Sequence, residues 1–535
     1  MDKKKLDYYY DLLNSTILCH QNILTGLIPS CTTSSHAWVR DNTYASLSIW
    51  GLSLAYRKLP DVDEDRSRCY ELEKCAVKLM RSILVCYLKQ ADKLENLKKF
   101  QDPAHSLHAK FDANTCKTVV GDNQWGHLQI DAVSVYLLTL AQMTASGLRI
   151  IWTSEEVAFV QNLVFYIEHA YRIPDYGIWE RGDKTNHGLP ELNTSSVGMA
   201  KAALEALSDL DLFGADGNPL STIHVFPDET QQCNTVVESV LPRESNSKET
   251  DAALLSILTY PGFAVADEQL ISQTRNTIVQ KLLGRYGCRR FLRDGYRTAR
   301  EDSSRLYYEP WELRLFEGIE CEWPMFLAWL VLDATFREEL DEADRYMSML
   351  QDVVVREPVM SCDGPSAWEK PMCRRVSEVT NLSTTTNLVL MPETYAVPAD
   401  RIDAELAKPH SQNRVTMGTL PHIWGQSLYI LSNIIYEGLL LPGEIDPLGR
   451  RLLTEPKPDL SVQVVLVAED EAMKSTLFDL QVDVQTFDEI YREAGIHIYP
   501  AKVLGQLYRQ LGRSCSCSMI HTTRLLRRED SSFCR

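Results

Sequence analysis

The stretch Glu320-Cys321-Glu322-Trp323-Pro324-Met325-Phe326-Leu327-Ala328-Trp329-Leu330-Val331-Leu332-Asp333-Ala334-Thr335-Phe336 decides the fold. Acidic and aromatic residues crowd its start. From Phe326 to Phe336 it is apolar around the full circumference of a helix, and such a helix is buried on all sides. The segment that follows, 337–356, is polar enough to be its outer partner. The pairing recurs along the chain: roughly a dozen helices alternate between apolar, loop-bearing ones and polar ones, and strand-type alternation is nearly absent before residue 460. This pattern predicts a mainly α protein built as two concentric rings of helices, the inner ring buried and the outer one amphipathic. Loops at one end of such a double ring gather into a pocket.

Working outward, helices are predicted over 7–30, from an Asp41 or Asn42 cap through Ala55, over 70–98, from Gln129 to about Leu140, and over 154–172. Asn193-Thr194-Ser195 caps a small-residue helix to Leu207. Further helices are expected over 250–261, 266–284 and from Leu420-Pro421-His422-Ile423-Trp424 to Tyr436. Asp131, four residues after His127, is expected on the same helical face. Segments 101–124, 288–318 and 357–385 read as loops. The barrel is thus expected over 1–440, a linker over 441–459 and a small mixed α/β extension over 460–513, where Val462 to Val467 alternates partly like a strand. The Ser-, Cys- and Arg-rich tail, 514–535, reads as disordered.

The 535-residue chain is 44% hydrophobic and 24% charged, ordinary for a globular protein. Its net charge of −18 argues against nucleic acid or anionic lipid as a partner, because phosphates would be repelled. A neutral polysaccharide is compatible with it. The 14 cysteines lack paired metal spacing, and Met1-Asp2-Lys3-Lys4-Lys5 does not begin a signal peptide. Reduced thiols and a cytoplasmic location are therefore expected. No apolar run is long enough to cross a bilayer. The ending Ser532-Phe533-Cys534-Arg535 is not a prenylation signal. The absence of a phosphate-cradling glycine loop and of kinase catalytic signatures excludes phosphoryl transfer.

Two carboxylates carry the candidate chemistry. Glu180 ends Asp175-Tyr176-Gly177-Ile178-Trp179-Glu180, and Glu393 follows Pro392, 213 residues further on. Protonating a glycosidic oxygen needs a carboxyl with raised pKa, which burial beside Trp179 would favour at Glu180. Arg181 would pull the other way if its guanidinium pointed inward. Glu393 would act as general base across a water-wide gap. Taken alone, Trp-Glu more often marks a helix-terminal carboxylate in a surface salt bridge. Arg40-Asp41 offers donors and acceptors to adjacent sugar hydroxyls, or simply a cap with an ion pair. Trp38, Trp125, Trp179, Trp323 and Trp424 fall at loop–helix junctions, where sugar C–H faces stack on indoles; Asp131 joins them as a candidate ligand contact. His105, His108 and His127 do not make a metal set, so neither a metal nor another cofactor is expected. Arg374-Arg375-Val376-Ser377 has the form of a basophilic kinase site, making Ser377 a candidate phosphoacceptor.

Trp-x-Arg-Asp, Gly-Ile-Trp-Glu, Pro-Glu and the last Trp helix stand in the order found in glucoamylase-type glycoside hydrolases (family 15), which residues 1–440 resemble. Met1 to Tyr10, Ala37-Trp38-Val39-Arg40-Asp41-Asn42, Val120 to Asp131 and Pro190 to Ala200 resemble more specifically the large regulatory subunits of phosphorylase b kinase, the α type more than the β type. The resemblance implies an (α/α)6 barrel. It assigns Glu180 to the hydrolases' acid, Glu393 to their base, and Arg40 and Asp41 to their sugar pair. It implies a regulatory role in glycogen breakdown, within an assembly of β subunit, catalytic γ kinase and calmodulin. An active inverting α-glucosidase is the alternative. The family's subunits are about twice as long; they carry a calmodulin-binding region and, in the α type, a prenylated C-terminus at the membrane. A short form of such a subunit is therefore expected.

Overall fold

The computed structural model describes residues 2–31, 34–59, 63–122, 126–180, 184–214, 217, 219–358, 387–453, 466–480, 482–495 and 498. It divides into two units, Met1–Pro456 and Lys457–Arg535. The first is an (α/α)6 barrel. Its chain runs outward and inward in six hairpins: α1 (Lys3–Thr16) to α2 (Val39–Arg57), α3 (Asp63–Leu88) with the short α4 (Ala91–Phe100) to α5 (Ile130–Ala145), and α6 (Ser154–Ala170) to α7 (Thr194–Leu207). Next come α8 (Pro227–Val240) to α9 (Leu255–Leu258), α10 (Glu268–Leu282) to α11 (Met325–Phe336), and α12 (Leu340–Val353) with a side helix α13 (Ile402–Ala407) to α14 (Ile423–Tyr436). The inner helices touch in sequence, α2 to α5, α7, α9, α11 and α14, and α14 returns to α2, closing the ring.

The hydropathy pattern explains which helix goes where. Every residue of α11 but Thr335 is buried. Its outer partner α12 buries only Ala343, Tyr346, Met347, Leu350 and Val353, a single face at three- and four-residue spacing. Polar side chains fix several outer starts: Asp2, Thr153 and Asp267 accept backbone N–H groups of α1, α6 and α10.

Several sequence expectations change. The helix expected over 7–30 stops at Thr16, and Ile28 lies in an irregular segment clamped by Asn42. Asn42 is therefore not a cap; α2 starts at Val39, with Asp41 in its first turn. The 70–98 helix breaks at Gln90, whose Oε1 accepts the His108 N–H at 2.9 Å. The 250–261 helix shrinks to a 3-10 turn (Ala252–Leu254) and α9, because Pro261 disfavours helical backbone at Tyr260. Since α5 begins at Ile130, His127 lies outside it and shares no helical face with Asp131; it stacks on His108 instead, centroids 3.5 Å apart.

Strands are also commoner than alternation suggested. Three antiparallel pairs brace the barrel loops: β1 (His36–Trp38) with β2 (Lys110–Asp112), β3 (Val355–Pro358) with β4 (Asn387–Leu390), and β5 (Thr394–Ala396) with β6 (Val415–Met417). At three or four residues each they are too short to show a period. In the second unit Val467–Ala468 pairs in parallel with Gln485–Thr486, and helices Glu471–Asp479 and Phe487–Ala494 follow the two strands. Ser377, the 454–459 stretch of the linker and the 514–535 tail lie outside the described residues. Among the described residues no helix is long and apolar enough to cross a membrane, and no group of three or more His, Cys, Asp or Glu is placed to hold a metal.

Candidate functional site

The entries of the inner helices hold the candidate residues. Upstream of α7, the Asp175–Glu180 loop is tied down first by its backbone. The Tyr176 N–H donates to Leu128 O at 2.8 Å, and the Asp175 N–H and Glu191 O bond at 2.8 Å. Gly177 takes φ +61° with Asn193 packed against its Cα; a Cβ there would lie 2.9 Å from Asn193 Cγ. Only glycine meets both demands. Asn193, expected as a cap, spends its amide on Asp175 instead, donating to Oδ1 at 2.8 Å. Burial pushes the Asp175 carboxyl up to about 6, against the hydrogen bonds from Ser196 and Asn193. Glu180 ends the loop half-buried, with φ +61°.

Arg40, in the first turn of α2, lies beside that loop. Its Nη2 donates to Asp131 Oδ1 at 2.8 Å and Gln129 Oε1 at 2.7 Å, and its Nε to Asp131 Oδ2. A longer contact, 3.4 Å, reaches Gly177 O. Both partners of this forked pair are buried. Burial opposes the Arg40 charge, but the carboxylates of Asp131, Glu180 and Asp41 outweigh it and strengthen its hold on its proton. Burial raises Asp41 above the usual carboxylate range; His422, Ser30 and Arg40 oppose that shift, and Glu393 adds to it. Glu180, Arg40, Asp41 and Glu393 are thus linked electrostatically, one to the next.

An aromatic cluster adjoins these groups. The Trp179 ring centroid lies 5.6 Å from Trp323, 6.2 Å from Trp424 and 6.2 Å from Phe326. Trp179 Nε1 donates to Asp251 Oδ2 at 2.8 Å, which fixes the plane of its ring. The Arg290 guanidinium packs over Trp179 at 4.7 Å, Tyr296 at 4.6 Å and Trp323 at 5.2 Å, and forks onto Asp294 at 2.6 and 2.8 Å. Trp424 stacks on Tyr44 at 5.2 Å. The buried indole nitrogens of Trp323 and Trp424 have no hydrogen-bond partner among the described residues. Two such donors suit acceptor oxygens from a ligand or water.

Glu393 sits opposite, at the start of β5 and nearly buried. Its Oε1 accepts the Tyr296 hydroxyl at 2.8 Å and faces Arg297 Nε at 3.2 Å. Its Oε2 accepts the Thr419 N–H at 2.8 Å and Thr419 Oγ1–H at 3.2 Å. Gly418 makes this approach feasible: at φ +88°, a Cβ there would stand 2.2 Å from Glu393 Oε2. Burial favours the protonated acid, yet His422, Arg297, Thr419 and Tyr296 outweigh it and hold Glu393 below its usual range.

The structure therefore gathers Glu180, Glu393, Arg40, Asp41, Asp131, Trp179, Trp323 and Trp424. Trp38 stands apart from the indole cluster: in β1, its ring carries the ammonium of its cross-strand partner Lys110 at 4.6 Å. Trp125 lies outside the described residues. Sequence reasoning missed Asp251, Tyr296, Arg297, Thr419 and His422 as site residues. The only available signal was their position in polar loops at helix entries.

Comparison with known proteins places this geometry. Residues 3–475 match the family model of glycosyl hydrolases family 15. A solved glycosidase variant in complex with glucose superposes with a TM-score of 0.52 at 15% identity, over 82% of this chain and 100% of that one, a likeness of fold. The Drosophila melanogaster probable phosphorylase b kinase regulatory subunit alpha is 53% identical over 510 residues, and the Mus musculus skeletal muscle isoform 54% over 508. The Oryctolagus cuniculus liver isoform is 52% identical over 510 residues. These alignments cover 95% of this chain, which spans only 38–39% of the length of those relatives. On the match over residues 3–475, the chain belongs to glycosyl hydrolases family 15.

Proposed function

We propose that this chain is a regulatory subunit of the phosphorylase kinase type, acting in the control of glycogen breakdown, and that its barrel pocket binds oligosaccharide. The relatives named as phosphorylase b kinase regulatory subunits support the first part. The partners that follow are a catalytic γ-type kinase subunit, a β-type subunit and calmodulin. The observation that supports the second part is that Glu180, Arg40, Asp41 and Glu393 are electrostatic neighbours in succession beside the cluster of Trp179, Trp323 and Trp424. Carboxylates and guanidinium would meet sugar hydroxyls, the indole faces would meet sugar C–H groups, and the unpartnered indole N–H groups would meet sugar oxygens.

The second reading is an inverting α-glucosidase with Glu180 as acid and Glu393 as base. The lowered proton affinity of Glu393 favours it, since a base must be ionised. Against it, Tyr296 and Thr419 donate three hydrogen bonds to Glu393 and Arg297 packs beside it, so an attacking water would have to compete for its lone pairs. Sugar binding without turnover fits both facts. The test is titration of the pure protein with maltose-series sugars, alongside assay for β-glucose. Binding without release supports the proposal. Release of β-glucose, lost in both Glu180→Gln and Glu393→Gln, would install the hydrolase in its place. Co-purification with the catalytic kinase subunit tests the regulatory part separately.

A further inference from the structure

The end of α3 and the hairpin over 110–118 bring two thiols together. Cys86, in the last turn of α3, is fully buried, and Cys116, in the turn of the hairpin, is only 4% exposed. The two side chains hydrogen-bond to each other, and both are free thiols. The surrounding contacts hold hairpin and helix in place: Lys89 Nζ donates to Thr115 O at 2.5 Å, and the Tyr87 ring meets Phe111 edge-on, centroids 6.3 Å apart. The backbone at Cys116 is unusual. Its φ is +55°, in the left-handed region that glycine and asparagine adopt more readily, and the Cys116 N–H donates to Asp112 O at 2.9 Å to keep it there. Backbone strain at a non-glycine residue concentrates at functional sites.

The two thiols are not equivalent. The hydrogen bond from Cys86 holds the Cys116 thiol below the usual thiol range; burial opposes this, the Lys89 ammonium adds to it, and the Asp112 carboxylate opposes it. The same hydrogen bond, together with burial, pushes Cys86 far up. One sulfur is thus disposed to be a thiolate beside a cation, and its neighbour to stay a thiol. The hairpin that carries Cys116 also leads toward the pocket. Its strand β2 pairs with β1, and the Val39 N–H donates to Ala109 O at 2.9 Å, one residue before Arg40.

We propose that Cys86 and Cys116 are a redox-modification site, at which hydrogen peroxide oxidises Cys116 and Cys86 then closes a disulfide that staples the hairpin to α3. The Cys116 thiolate attacks one peroxide oxygen and the O–O bond breaks; the departing hydroxide takes up the proton that Cys116 had released, giving water. Cys86 then attacks the sulfur of the sulfenic acid, and its own proton leaves with the second hydroxide as another water. Two thiols are oxidised to one disulfide while one peroxide is reduced to two waters. Sulfurs already in hydrogen-bond contact need only close to about 2 Å. A dithiol reverses the reaction. The staple bears on the segment that enters α2 whether or not the pocket takes sugar.

The test uses the full chain, treated with hydrogen peroxide, alkylated and digested with trypsin under non-reducing conditions. Cleavage after Arg81, Lys89, Lys110 and Lys117 places the two cysteines alone in peptides 82–89 and 111–117. Mass spectrometry should find these two peptides linked, and dithiothreitol should release them. Peroxide that oxidises the exposed Cys19 while Cys86 and Cys116 stay free, or that links either to another cysteine, would overturn the site. In Cys86→Ser the sulfenic acid has no partner, so dimedone should label Cys116, whereas the parent chain should stay unlabelled there. Absence of that label from a folded Cys86→Ser chain would overturn Cys116 as the nucleophile; if this variant does not fold, the linked peptides of the parent chain still decide. Hydrogen exchange over 111–118 should slow several-fold in the oxidised chain and recover on reduction. Unchanged exchange in a chain shown to carry the link would overturn the staple.

Discussion

The two sides of the pocket solve the problem of a buried carboxylate in opposite ways. On the Glu393 side, three hydrogen bonds from Tyr296 and Thr419 and the charge of Arg297 converge on one group, and its carboxyl is held below the usual range. On the Glu180 side, the buried charge is the Arg40–Asp131 fork, while Asp175 behind it sits among neutral donors and clings to its proton. One side is built to keep an acceptor charged. The other is built around a cation whose partner cannot be spared.

The largest expected effect breaks that second design. Asp131→Ala removes the forked partner of the buried Arg40 guanidinium, leaving it hydrogen bonds only to Gln129 and a distant carbonyl and the charges of Glu180 and Asp41 nearby, which costs about 3–5 kcal/mol in stability. Urea unfolding measures it; a loss under ~1 kcal/mol would mean that Arg40 finds water, and that the two sides differ less than described.

The next prediction uses pH. The folded-state pKa of Asp175, about 6, lies above its ordinary 3.8, so ionising it in the folded protein is unfavourable. Its destabilising effect is absent below about pH 4, grows as pH rises toward 6 and is complete above that, on the order of 2–3 kcal/mol. Glu393 has the opposite sign: its folded pKa lies below 4.5, so its stabilisation is present above pH 4.5 and is lost as pH falls through the lowered value. Acidifying from pH 7 to 5 should therefore raise the urea midpoint, and Asp175→Asn should reduce the rise, the remainder coming from Glu168 and Glu244, which burial also raises, to about 7 and about 8. A flat profile in the parent protein would contradict the acid-side account.

Glu393→Gln sharpens the contrast from the other side. Its amide N–H2 must face groups that are themselves donors, at a cost of about 1–2 kcal/mol at pH 7. The variant should lose the stability decline below pH 4.5, which unfolding at pH 7 and 4 would resolve. The smallest effect is expected outside the pocket: Lys110→Ala removes a cation from the Trp38 face and should change stability by only about 0.5 kcal/mol, leaving sugar titrations unmoved. A changed sugar titration would bring Trp38 back into the site.

The barrel was legible because burial is written into composition. A helix such as Met325–Phe336 has no polar face, and no arrangement but an inner ring covers it. Elements set by a single side-chain bond were not legible. Nothing local distinguishes Asn42 as a clamp on Ile28 from Asn42 as a cap, or Gln90 as a breaker from Gln90 within a helix. Within the site, the Trp-Glu and Arg-Asp pairs stood out because their residue types are costly to place together. The donors that hold Glu393 did not, since Tyr296, Arg297 and Thr419 are common loop residues whose meaning comes from folding across 97 and 26 positions of chain.

The closure of α14 onto α2 has a consequence for how the molecule is made. The first inner helix, buried along nearly its whole length, leaves the ribosome nearly 400 residues before the helix that covers its last open side. Until Tyr436 is synthesised, the growing stack has two sticky edges and no seal. Chaperone occupancy during translation should fall sharply once that final turn emerges, and a nascent chain stalled just short of it should be a strong client.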